Sequence, residues 1–117
     1  MRAVSVAANL TANTLTSVFT CPIGYYAKVV LVRATNKTGS TKYISLDWTD
    51  TSAAVTYSIS YQQAVTTFTT GFDFGDSYLV LEEGDILKAT SEAGSTFTVL
   101  ATIELEGLTR LSPTLNL

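Results

Sequence analysis

The sequence predicts an all-β fold: an antiparallel β-sandwich of about eight strands, jelly-roll-like, with an immunoglobulin-like sandwich as the alternative. Three observations lead there. Apolar and polar residues alternate with a period of two over three long windows, which places successive side chains on opposite faces of a pleated strand. Turn-forming clusters separate short apolar runs at roughly 8–12-residue intervals. No window sustains a helical period. Twenty threonines and eleven serines, about a quarter of the 117 residues, supply the polarity that charged residues usually supply, and β-branched Thr favours strands.

Taken in order, Arg2–Ala7 reads as a short first strand, since its apolar run is too short and too broken by Ser5 for a signal peptide. Thr14–Cys21 follows and stops at Pro22, which has no N–H for a ladder. Tyr25–Thr35 carries Val29, Val30, Leu31 and Val32 in a row, the pattern of a strand covered on both faces. In Lys42–Thr49, Ile44, Leu46 and Trp48 alternate with Tyr43, Ser45, Asp47 and Thr49. In Val55–Gln62, Val55, Tyr57, Ile59 and Tyr61 share one face, so they and Trp48 are expected in the core. Shorter strands are expected at Thr66–Thr70, Tyr78–Leu81 and Ile86–Ser91. Thr96–Glu106 is the cleanest, with Phe97, Val99, Ala101, Ile103 and Leu105 on its apolar face. The breaks at 36–40, 50–53, 71–75, 82–85 and 92–95 hold residues that tolerate positive φ or bond their own backbone.

The length is that of one domain, with the sandwich over 1–107 and a leucine-rich arm over 108–117. Pro113 ends any strand in that arm, yet Leu108, Leu111, Leu115 and Leu117 remain. Free tails are usually polar, so these leucines are expected to dock on the chain itself or on a neighbour.

Composition removes most catalytic chemistry. With no histidine and Cys21 as the single cysteine, the chain by itself cannot build a disulfide, a His/Cys zinc site or a Ser-His-Asp triad. Charged residues are 15% of the chain, the net charge is −3 and the sequence pI is about 4.7. This argues against nucleic-acid binding, which needs clustered bases, and no apolar run approaches the roughly 20 residues of a membrane helix. The acids fall in three sets: Asp47 with Asp50, Asp73 with Asp76, and Glu82 and Glu83 with Asp85. The first lacks the ligand alternation and closing Glu of a calcium loop, and all three read as turn residues. No catalytic, cofactor or metal residue is therefore assigned, and no enzyme is expected. Tyr43 breaks the parity of its strand, as does Tyr26 where the Tyr25 face is buried, so both are expected at the surface or in an interface.

Several stretches carry a further signal: Leu15–Pro22 leading into Ala27–Ser40, the strand Tyr43–Asp50, and the turn within Leu79–Ala89. Over roughly residues 14–106 they resemble small structural proteins of tailed-bacteriophage virions. The resemblance implies a sandwich that assembles on the particle, as a capsid decoration or cement protein or as a tail or neck component. It implies a homo-oligomer, a trimer by analogy, whose partners are itself and major capsid or tail proteins, located in the virion after synthesis in the host bacterial cytoplasm. It implies no cofactor, no nucleic acid and no membrane. The expected interface residues are Leu108, Leu111, Leu115, Leu117, Tyr26 and Tyr43. The alternative is a carbohydrate-binding, receptor-recognising module of a tail fibre, for which exposed Tyr26 and Tyr43 would be the platform.

Overall fold

Alternation converts directly into layers. The computed structural model of the chain describes residues 2–68, 70–71 and 78–108, and among them nine strands: β1 (Arg2–Asn9), β2 (Thr16–Thr20), β3 (Tyr25–Asn36), β4 (Lys42–Asp50), β5 (Val55–Val65), β6 (Thr70–Gly71), β7 (Leu79–Leu81), β8 (Ile86–Ser91) and β9 (Phe97–Gly107). All pairs are antiparallel. One sheet has the order β1-β9-β3-β6, with β7 also paired to β3; the other has the order β2-β8-β4-β5. The chain is a jelly-roll β-sandwich in which the strand beside β3 is split into β6 and β7. The immunoglobulin-like alternative is excluded by strand order, because there the first two strands are neighbours in one sheet, whereas β1 and β2 belong to opposite sheets.

The core lies between the sheets. From β9, Phe97, Val99, Ala101, Ile103 and Leu105 are all buried, and β1 and β3 flank the strand on either side. Ile44 and Leu46 of β4, with Leu87 and Ala89 of β8, meet them from the second sheet. The outer faces carry the hydroxyls; Ser5 and Thr102, for example, lie opposite each other and bond at 3.0 Å.

Two expectations fail, and inserted residues enter into both. The Val29–Val32 run does not mark a strand covered twice. Val29 pairs with Ile103 and Leu31 with Thr102, so Val30 is an extra residue on β3, a bulge. Val29 and Val32 are buried while Val30 and Leu31 are only partly so. On β5 there are two such insertions. Asp47 and Leu46 are adjacent but pair with Ser58 and Ser60; Leu46 and Ile44 pair with Ser60 and Gln63. A one-residue slip turns every later side chain to the other face. Ser60 and Gln63 therefore oppose the buried Leu46 and Ile44, and Gln62 takes a left-handed φ of 52° with its N–H on Ser45 Oγ. The expected core residues of β5 are exposed instead: Val55 by 39%, Tyr57 by 49%, Ile59 by 39% and Tyr61 by 72%.

The boundaries differ elsewhere too. β5 runs to Val65, and the stretch expected as a strand from Thr66 begins as a turn at Thr67–Phe68 before the two-residue β6. The fully buried Asn36 side chain holds this region: its amide donates to Val65 O (2.9 Å) and Ser40 O (3.0 Å), and its Oδ1 accepts from Thr38 N (2.8 Å).

Burial sets contrasting mutational costs. Ile103→Ala, in the sealed core, should lower unfolding free energy by about 2–5 kcal/mol, whereas Ile59→Ala should cost under about 1 kcal/mol. Urea denaturation of both variants checks the contrast; equal losses would restore Ile59 to the core.

Candidate interaction surface

Of the described residues expected at interfaces, Tyr26 and Leu108 come together in one cleft, and Tyr43 lies on the other sheet. Tyr43 projects from the outer face of the β2-β8-β4-β5 sheet, 47% exposed, and lines a shallow cleft of about 310 Å³ with Gln62, Thr90 and Glu92. Tyr26 lies on the other sheet, on the outer face opposite Glu106. It shares a cleft of about 480 Å³ with Val80, Ser52, Glu82, Glu83 and Leu108. Leu108 is 37% exposed, and its N–H donates to Gly24 O at 2.8 Å. Leu111, Leu115 and Leu117 lie outside the described residues, as do Asp73 and Asp76.

The acids regroup across the fold. Carboxylate oxygens of Asp50, Glu82 and Asp85 lie within 4.8 Å of one another, a set that no sequence neighbourhood announces. At its centre Asp85 is buried, and both its oxygens are engaged. Oδ1 accepts from Thr51 N (3.1 Å); Oδ2 accepts from Glu82 N (3.0 Å) and Trp48 Nε1 (3.2 Å). Thr51 Oγ1 donates to Gly84 O (2.6 Å), and Gly84, at φ +81°, donates its N–H to Cys21 O (2.9 Å). One buried carboxylate thus ties together the β4–β5 turn, the β7–β8 turn and the indole of Trp48. Carboxylates in such positions earn their burial by accepting several N–H bonds.

Cys21 packs beside this clasp. Burial first, and then the charge of Asp85, pushes its thiol above the ordinary value of 9.0. A raised thiol is a poor nucleophile, and its Sγ–H points to Tyr25 O at 3.5 Å.

One departure from an ordinary polar surface is β5. It is an edge strand, so one row of its N–H and C=O groups has no ladder partner among the described residues. Among the described residues, the facing rim of the other sheet is the two-residue β6 and three-residue β7, too little to roof an eleven-residue strand. Tyr57 finds partial cover by stacking on Trp48, ring centroids 5.4 Å apart at 26°. Val55, Ile59 and Tyr61 stand open. Parity placed these side chains inward; Val55 and Tyr57 keep the register of Asp50 and Trp48 and are exposed because little among the described residues covers them, while the two bulges, unmarked by Gly or Pro, shift Ile59 and Tyr61.

No family model and no curated protein matches the chain. Among solved structures it is similar to a protein of Bacillus endospore appendages, described as a novel family of disulfide-linked pili, at 14% identity and a TM-score of 0.53, over 92% of this chain and 87% of that one. It is also similar to the globular domain of zebrafish complement 1qA protein, at 18% identity and a TM-score of 0.46, over 86% of this chain and 94% of that one. At such identities the likeness to the appendage protein is one of fold.

Asp85→Ala should unfold at clearly lower urea concentration, because each buried donor left unmatched costs about 1–3 kcal/mol. Alkaline titration gives a second check. Above about pH 8.5–9 the unfolded chain's thiol loses its proton while the folded one keeps it. The unfolded state then binds fewer protons, so stability falls as pH rises, until the folded thiol ionises too. Melting temperatures measured across that range should decline less steeply for Cys21→Ala than for the parent; parallel declines would contradict the raised thiol.

Proposed function

We propose that this chain is a non-enzymatic structural subunit of a tailed-bacteriophage virion, held on the particle by contacts as a capsid decoration or cement protein or as a tail or neck component. The observation that carries this reading is β5: an edge strand with little cover among the described residues, bearing the exposed Val55, Tyr57, Ile59 and Tyr61. An exposed apolar strip on an edge strand is characteristic of a surface that another chain covers.

Three further points support it. The jelly roll recurs in viral capsid domains. The appendage protein of similar fold comes from pili, which are assembled structures. The strand and turn stretches quoted above resemble virion proteins. Covalent linkage of the kind named for those pili does not carry over, since the one cysteine, Cys21, is buried.

Antibodies raised against the purified chain should label intact particles released from the producing cells, seen by electron microscopy. Chain recovered only in the particle-free fraction, with unlabelled particles, would overturn the reading.

A further inference from the structure

We propose that β5 is a homophilic rim: two copies of this chain associate about a two-fold axis, β5 against β5. The inference rests on the adhesive reading of that strand and names its partner.

Charge permits a second copy and offers nothing to a basic partner. The chain carries −3 overall, yet from Thr51 to Phe72 there is no Asp, Glu, Lys or Arg. β5 lies wholly inside that neutral stretch. Two acidic molecules repel where their carboxylates face each other, and a neutral rim lets them approach without like-charge cost. A basic partner, by contrast, would find nothing on β5 to pair with. The rim lacks the inward charges, lysines and prolines with which edge strands usually discourage pairing, and its two bulges are the one such device it carries.

Area points the same way. Tyr57 flanks the strand on Trp48's face and Tyr61 on the opposite face; at roughly 200 Å² for each tyrosine and 49% and 72% exposure, they offer at most about 240 Å² per copy. Two-fold symmetry doubles this, to nearly half of the roughly 1,000 Å² that a specific interface clears. Val55, Ile59 and the edge backbone of β5 lie beside them to supply the remainder. A strand that meets its own copy gives an isologous contact, which closes at two. The bulges at Ile59 and Gln62 bend the strand, limiting how far another sheet can follow it and favouring a bounded pair over an open ribbon.

Sedimentation of the purified chain at micromolar concentration tests the proposal. The parent should sediment as a two-copy species. Tyr57→Lys with Tyr61→Lys should weaken association by roughly a hundredfold, with an unchanged far-ultraviolet spectrum showing that the variant is folded. Val80→Lys, at a similarly exposed site (43%) on the other sheet, should leave the pair intact. A parent that stays monomeric, a pair indifferent to the tyrosine changes, or a ladder of larger species would each overturn the proposal. Particle labelling separates the two readings: labelled particles with a monomeric chain remove only the homophilic rim, whereas a β5-dependent pair with unlabelled particles removes only the virion assignment.

Discussion

A sandwich holds only while each strand keeps its apolar side chains on one face, and that face meets its counterpart in the other sheet. Here β9 and β3 on one side, and β4 and β8 on the other, satisfy that condition, and their facing residues are sealed from water. Everything else in the molecule is arranged around the places where the count of two is kept or broken. On β3 the break is absorbed, because Val30 and Leu31 stay partly covered on a central strand. On β5 the same kind of break falls at an open edge. It displaces Ile59 and Tyr61, while Val55 and Tyr57 keep the register of Asp50 and Trp48 and lie open for want of cover among the described residues.

Legibility follows from the same rule. β8 could be placed by its flanking turns, and β9 and β4 could be read closely because a strict period of two and well-marked turns determine both their existence and their buried face. The exposure of Tyr43 was legible for that reason as well. The bulges were not, since nothing in the composition of Val55–Val65 flags an inserted residue; only the ladder with β4 reveals it. The partners of Asp85 were hidden by distance along the chain: Trp48 and Thr51 are more than thirty residues away. The short β6 and β7 have too few residues for any periodicity to register.

Two buried polar side chains fix parts of the structure that packing alone would leave loose. Asn36 fastens the end of β5 to β3, and Asp85 fastens the turn that precedes β5. The rim between them is consequently held at both ends by satisfied hydrogen bonds while its middle remains bare. A strand anchored this way gives up little conformational entropy when something settles on it, which is what a preorganised contact surface requires.

The pairing of β1 with β9 has a kinetic consequence. Arg2 lies against Leu105 and Asn9 against Thr98, so the first strand has no neighbour in its sheet until the ninth has been made. Such long-range closure slows folding to the millisecond-to-second regime typical of all-β domains. During synthesis β1 therefore waits without a strand partner, and its sheet closes only once β9 has left the ribosome.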